Sequence, residues 1–500
     1  MFLVAFIVTV AVVGALHYYL LHYHTAYFKR RGIPSVPITK PLWNHLEHFT
    51  SRQTPFYFHY DEWTKQFGKF FGFFLGWRKV LMISDLEAVQ DVLYRQFENF
   101  DQRMIIPLER LDHWFGRRYI MSATGNQYRR IRALTIQCFT PANSKRVCPK
   151  VDQAAKDFIQ ILEEKQSQSK EPIVIQNHVL EFIMDVLCKL ALGTEECLQF
   201  KNPYVDKVEN LMSSYSRTRI QQLAYLFTPI NTFWIPFYEL YNKIFPDTRF
   251  QMITDLCNVI FQRKKQKEEL LAKGITIEHR DFIDMMIDAE DDSLEDSKFE
   301  KKLTFQEVII NSTVLVAGGL ETTTGGALST IRCLMEYPHY QQLIRDEIRD
   351  YFDDDSSEPI FDQLKNMKLL EAFIKESLRL HPPAPQTVNR RTVRDTVIGD
   401  GLQIERGTYI FVNTRAIQRD EKIWGEDALE FRPERFFELT PQQNSAYLPF
   451  GAGPRICPGI TLGYMAIKLI VIRLLQKFSL KPTPMMEQEV QNVIPFTTTT

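Results

Sequence analysis

One run constrains this chain more than any other: Phe450-Gly451-Ala452-Gly453-Pro454-Arg455-Ile456-Cys457-Pro458-Gly459. It sets a single cysteine in a glycine-punctuated loop, with an aromatic ahead of it and a long apolar segment from Ile460 behind. A thiolate so placed suits an open-sided metal ligand. Gly453 and Gly459 let the backbone pass close to a flat ligand, where a β-carbon would collide. Pro458 fits the start of the helix expected from Ile460, where a backbone N–H is not needed. The positive end of that helix, with its free N–H groups, is expected to lower the thiol pKa and hold the sulfur as an anion. Arg455 supplies a nearby positive charge able to hold a carboxylate on the ligand.

The other cysteines point away from alternatives. Cys138, Cys148, Cys188, Cys197, Cys257 and Cys333 are scattered, and with Cys457 the total is odd. That argues against a disulfide framework and for a reducing compartment. No Cys/His grouping has zinc spacing, so these six read as core filler. A net charge of −1 exerts no overall pull toward nucleic acid or anionic lipid. The 500 residues are 45% hydrophobic, enough for a large core, and no linker or repeat divides them.

The N-terminus differs from the rest. Phe2 to about Leu21 carries no charge and is long enough to span a bilayer as a helix. His17, Tyr18, Tyr19, His22 and Tyr23 gather toward its end, where aromatics favour the interface, and Lys29-Arg30-Arg31 follows. A cleaved signal peptide would want a basic stretch before the apolar run and a small-residue cleavage site after it, and both are lacking. The segment reads as an uncleaved signal anchor over residues 1–28, with the remainder cytoplasmic. Residues 29–40 read as a basic, proline-stiffened hinge, and 41–500 as one catalytic domain.

Along that domain most segments carry helical periodicity. Lys79 to Ile83 is strand-like and ends at Ser84-Asp85, a cap for a helix from Leu86. A second β cluster runs from Thr396 to Val412, divided by Gly399, Gly401 and Gly407. The middle, from about Val151 to Leu271, is helical, and the acidic stretches Asp288 to Glu300 and Asp353 to Glu358 read as solvated loops. The fold class expected is mainly α with small β-sheets.

Three further constellations carry chemistry. Gly318-Gly319-Leu320-Glu321-Thr322-Thr323 lies inside a long apolar helix from about Phe305 to Met335. Each glycine there costs about 1 kcal/mol relative to Ala, so something compensates. Either small residues sit at a tight helix crossing, or the helix opens beside a ligand, where an acid and a hydroxyl can relay protons. Glu376-Ser377-Leu378-Arg379 places opposite charges at i,i+3 amid apolar neighbours. Gly125 to Arg132 brings Tyr128, Arg129, Arg130 and Arg132 onto one helix.

The Phe-x-x-Gly-x-Arg-x-Cys-x-Gly pattern resembles the haem-binding loop of the cytochrome P-450 family at each defining position. Gly319-Leu320-Glu321-Thr322 is similar to that family's oxygen-activation motif, Glu376-x-x-Arg379 to its Glu-x-x-Arg motif, and Phe431 to Phe436 to the segment that supplies a third charge, here Arg435. The ordered motifs extend from about Gly125 to Gly459.

The resemblance implies the P-450 fold and haem b, with Cys457 as axial ligand and Phe450 and Arg455 against the cofactor. It implies Glu321 and Thr322 as the proton-delivering pair, and Glu376, Arg379 and Arg435 as a structural lock beneath the haem loop. Arg132 and Arg390 (or Arg391) would hold haem propionates. Tyr128 stands where the family usually has Trp, and its phenol can still donate to a propionate. Gln418 stands where a His is usual.

The activity implied is monooxygenation of a lipophilic small molecule, xenobiotic, steroid or fatty-acid-like, at the endoplasmic reticulum membrane. Electrons would come from NADPH through cytochrome P-450 reductase, with cytochrome b5 as a second donor. A haem-thiolate isomerase or dehydratase, and a non-catalytic haem sensor, are the alternatives. Arg129, Arg130, Lys145 and Arg146 offer a basic face for an acidic electron donor. Val316, Ala317 and Gly318, with residues 385–388 and 494–496, are candidate pocket walls.

Overall fold

The computed structural model describes all residues except 1, 41–43, 50–55, 105–115, 117, 170–172, 215–222, 225–230, 245–248, 276–278, 280, 291–301, 353–360, 386–387 and 483–500. The expected acidic loops and the candidate wall at 494–496 therefore lie largely or wholly outside the described residues.

The small sheets form where β-branched and aromatic residues cluster. Strand β1 (Phe70–Leu75) turns through Gly76, at φ +59°, into β2 (Arg78–Ile83), and the two pair antiparallel with Phe70 opposite Ile83. The second β cluster divides in two. Its Thr396–Ile398 (β4) and Leu402–Ile404 (β5) form a separate hairpin, and Tyr409–Val412 (β6) lies parallel to β2. With β3 (Asn389–Arg391) antiparallel to β6, the larger sheet has the order β1-β2-β6-β3 and joins distant parts of the chain. As expected, Asp85 caps the next helix, Leu86–Gln90, accepting from the backbone N–H of Glu87 and Ala88 at 3.1 and 3.2 Å.

Helices make up the rest. The distal helix, Phe305–Glu336, runs buried through the middle of the main core. Its start is fixed by a capping box: Thr304 Oγ1 accepts from Glu307 N at 3.2 Å, and Glu307 Oε2 accepts from Thr304 N at 3.0 Å. Around it pack Ile175–Leu187, Lys368–Leu380 and Ile460–Lys477, the last following the cysteine loop. Pro141–Gln168 packs on that last helix and is pinned to it by a buried pair, Asp152 accepting from Arg473 Nε and Nη2 at 2.8 Å each.

The N-terminal region departs from the expected organisation in one respect. A helix of 24 residues, Phe2–Thr25, is present, although several of its side chains lie outside the described residues. Among the described residues, no helix is long and apolar enough to cross a membrane. The segment expected to be a free hinge is docked. Val36 N donates to Gly72 O at 3.0 Å and Gly72 N to Pro34 O at 2.8 Å, which adds this segment to the β1 edge. Ile33, Val36, Tyr27 and Phe28 are buried. A β-carbon on Gly72 would lie 2.2 Å from the Phe28 ring, so the glycine admits that ring against the strand. Hydrophobic burial outweighs the stiffness that the prolines would give a free spacer.

Candidate functional site

The cysteine loop is held by its own backbone and by helix Gly125–Thr135. Cys457 N donates to Phe450 O at 3.0 Å, and Ile456 N to Gly453 O at 2.9 Å. Gly453 sits at φ +71°, and a β-carbon there would lie 2.0 Å from the Leu93 carbonyl oxygen. Its smallness thus serves packing against the chain. Gly459 is less crowded, with Cys457 Sγ 3.9 Å from the position a β-carbon would take.

Cys457 keeps exposed surface within the loop. Burial pushes the thiol pKa up, while the Gly459 N–H, Arg132 and Arg103 pull it down. The helix end and its neighbours were expected to win outright; desolvation is the larger effect. A cation at the sulfur would reverse that balance, because a coordinating thiol is deprotonated outright.

Basic groups gather near the cysteine loop. Arg455 stacks over the Tyr128 ring, 3.7 Å from its centroid, and donates to Ile120 O at 3.2 Å and Ala123 O at 2.5 Å. Burial, then Arg103, pulls its pKa down to about 9. Arg390 is buried, and burial with the charges of Arg103 and Arg455 drives its pKa far down. Arg391, next along β3, lies instead over the Tyr409 ring at 5.6 Å. Arg103 donates to Arg455 O at 3.3 Å and feels Arg132 and Cys457. The Nε atoms of Arg103, Arg390 and Arg455 are buried without hydrogen-bond partners, and among the described residues no carboxylate pairs with these side chains. Buried like charges without counterions are costly. An anionic ligand with more than one carboxylate fits this set, as haem propionates would.

Arg103 was not visible in the sequence, since no local spacing ties it to the loop. Tyr128 differs from expectation: its hydroxyl donates to Pro454 O at 2.7 Å, so its proton is committed to the loop rather than to a ligand. Phe450 packs its ring 5.3 Å from that of Tyr464.

The two readings of the distal-helix glycines divide by position. A β-carbon on Gly319 would lie 2.8 Å from Leu187, on Gly325 3.1 Å from Pro383 and on Gly326 3.1 Å from Ile467, all helix or loop crossings. Gly318 has nothing within 4 Å and is exposed. The helix stays regular there, and Thr322 Oγ1 donates to Gly318 O at 2.7 Å. Glu321 is buried, and its Oε2 has no partner among the described residues. Burial, then the charge of Glu209, pushes its pKa up to about 7. Thr322 lies one turn before Gly326 and so shares the face that meets Ile467, whereas Glu321 lies one turn before Gly325, on the face that meets Pro383.

The charge trio is buried. Glu376 accepts from Arg379 Nε at 2.6 Å and Nη2 at 2.8 Å, from Arg435 Nε at 2.9 Å and from Arg432 N at 2.9 Å. Arg379 also donates to the carbonyls of Gln418 and Ala428 at 2.6 and 2.7 Å, and Arg435 to those of Trp424 and Asp427 at 3.1 Å each.

The proposed basic docking face is largely occupied. Arg130 pairs with buried Glu307, Arg129 with Glu98, Lys145 with Asp362 at 2.9 Å, and Arg146 donates to His279 O at 2.6 Å. Of the candidate pocket walls, Val316 and Ala317 are buried, and residues 386–387 lie outside the described set.

Comparison with known proteins places the chain in a family. Residues 34–496 match the family model described as Cytochrome P-450. The chain is 31% identical over 493 residues to a Caenorhabditis elegans protein named as cytochrome P-450 CYP13A7, covering 94% of this chain and 92% of that one. It is likewise 31% identical over 492 residues to CYP13A3 of the same nematode, with 94% and 92% covered. The chain belongs to the cytochrome P-450 family and is an enzyme of its monooxygenase class.

Proposed function

We propose that this enzyme is a membrane-anchored haem-thiolate monooxygenase of the endoplasmic reticulum, inserting one atom of O2 into a lipophilic small molecule. The observation that carries this reading is the set of buried, partnerless guanidinium Nε atoms on Arg103, Arg390 and Arg455, linked to the Cys457 loop through Arg455 itself and through Arg103. When bound, haem supplies oxygen activation, promoted by the electron-donating thiolate. Cys457 would hold the iron, and Arg103, Arg132, Arg390 and Arg455 would hold the propionates, with Phe450 against the loop side. Tyr128 acts through the loop by anchoring Pro454.

Glu321 and Thr322 deliver protons. A carboxyl titrating near 7 can give up and regain a proton at working pH. The Thr322 hydroxyl, bonded to Gly318 O, is held at the one open glycine of the helix. Such a pair supports oxygenation over an isomerase or a sensor, neither of which needs proton delivery. Glu376, Arg379 and Arg435 form the structural lock beneath the loop.

Electrons would come from NADPH through cytochrome P-450 reductase, with cytochrome b5 as a second donor. The helix Phe2–Thr25 would anchor the chain. It is uncharged through Leu21, and Val8, Val12 and Leu16 are exposed on it. A xenobiotic, steroid or fatty-acid-like substrate suits the apolar walls at Val316 and Ala317. The test is the reduced carbonyl spectrum: the purified enzyme is expected to show the red-shifted Soret band of a thiolate-ligated haem, and Cys457→His to lose it. An unchanged band in the variant would assign the ligand elsewhere.

A further inference from the structure

Gln418 closes the short helix Thr414–Ile417 and is fully buried. Its carboxamide spans two parts of the site. Nε2 donates to Arg379 O at 2.8 Å, and Oε1 accepts from Leu448 N at 2.8 Å. Its own carbonyl accepts from Arg379 Nη1 at 2.6 Å, so Arg379 and Gln418 grip one another twice. Leu448 in turn accepts from Gly451 N at 3.0 Å, at the turn that opens the cysteine loop. Only one orientation of the amide satisfies both neighbours, a carbonyl on one side and an N–H on the other. Trp424 Nε1 donates to Ile417 O at 3.1 Å and fixes the helix end from which the side chain projects.

We propose that Gln418 is a positioning residue that couples the Glu376–Arg379–Arg435 lock to the entrance of the Cys457 loop through this paired donor and acceptor. The inference rests on the proposed role of Cys457 as haem ligand. The lock itself touches no atom from Leu448 to Gly459 in any hydrogen bond among the described residues, so Gln418 carries the polar link between them. Both bonds are fully shielded from water, where an unmade partner is most costly. Loss of the link would let the loop shift against the sulfur's ligand while the lock stays intact. A neutral imidazole also offers one donor and one acceptor, whereas Leu offers neither.

The experiment follows the red-shifted band of the reduced carbonyl complex over time at pH 7.5 in holoenzyme, alongside the thermal midpoint. The unmodified enzyme must first show the band; its absence there would overturn the haem-thiolate reading itself. Given the band, Gln418→Leu is expected to shorten its half-life about tenfold. Gln418→His is expected to restore it to within about twofold. A half-life unchanged in Gln418→Leu would overturn the proposal. So would a His variant that decays as fast as the Leu variant, since side-chain volume alone would then decide. If Gln418→Leu does not fold, the His variant decides alone: a persistent band supports the coupling, and no band overturns it.

Discussion

Arg130 grips Glu307 with both ends of its guanidinium, Nη1 to Oε2 and Nη2 to Oε1, each at 2.7 Å. The same carboxylate caps the distal helix through Thr304 and accepts from Gln127 Nε2 at 3.1 Å. One acid therefore ties helix Gly125–Thr135, which carries Tyr128 and Arg132, to the helix that carries Glu321 and Thr322.

Arg130→Ala leaves the Glu307 carboxylate buried without its cation. A loss of about 3 kcal/mol is expected, read as a lower denaturation midpoint of the haem-loaded enzyme. The KM for reductase is expected to stay within about twofold, because this side chain faces Glu307 and not a partner. A large rise in that KM with unchanged stability would restore Arg130 to the docking surface.

Glu376→Ala strands Arg379 and Arg435 as buried cations. Breaking such a pair costs about 3–5 kcal/mol, so the variant is expected to yield little folded, haem-retaining protein, measured as Soret absorbance per milligram. Normal haem content would remove the lock.

Glu321 gives a pH signature. Its acid form donates, and with a pKa near 7 that form disappears as pH rises through neutrality. Product formed per NADPH is expected to fall above about pH 7 in the native enzyme, whereas Glu321→Gln shows a lower and flatter profile between pH 6 and 8. The same falling limb in the Gln variant would assign the titration to another group.

Thr322→Ala removes the hydroxyl that donates to Gly318 O. Coupling of NADPH to product is expected to drop roughly 100-fold, with hydrogen peroxide released instead, as a peroxide assay would register. Tight coupling in this variant would take Thr322 out of the relay.

His45 links stability to pH far from the site. It accepts from Phe74 N through Nδ1 at 3.1 Å, and burial holds its pKa down to about 4. Between pH 6.5 and about 4 the unfolded chain binds a proton there that the folded chain refuses. Stability is therefore lost as pH falls through that window, by about 3 kcal/mol in full. His45→Gln keeps a donor and an acceptor without titrating, and is expected to narrow the gap in thermal midpoint between pH 5 and pH 7.5. An unchanged gap would exclude this histidine.

What the sequence disclosed was whatever a short motif can carry. The Cys457 loop and the Glu376–Arg379 pair have fixed spacings because their geometry is local, whereas Arg435, distant in sequence, was legible only through the resemblance of its own Phe431–Phe436 segment. Arg103 has no such spacing; only the packing of its segment against Arg455 brings it to the sulfur. Arg130 read as a surface charge because its partner, Glu307, lies far along the chain. The docking of residues 33–36 on the β1 edge depends on a single glycine, Gly72, whose role is set by the ring of Phe28. The place of Gln418 was not legible because the two partners of its carboxamide, Arg379 O and Leu448 N, are backbone groups that no side-chain pattern announces.

The bond from the Tyr128 hydroxyl to Pro454 O, with Arg455 clasping the carbonyls of Ile120 and Ala123, ties the cysteine loop to its own scaffold. Each of these bonds is internal to the polypeptide, so a substitution at Tyr128 or Arg455 loosens the loop from residues 120–135 as well as from any ligand it carries.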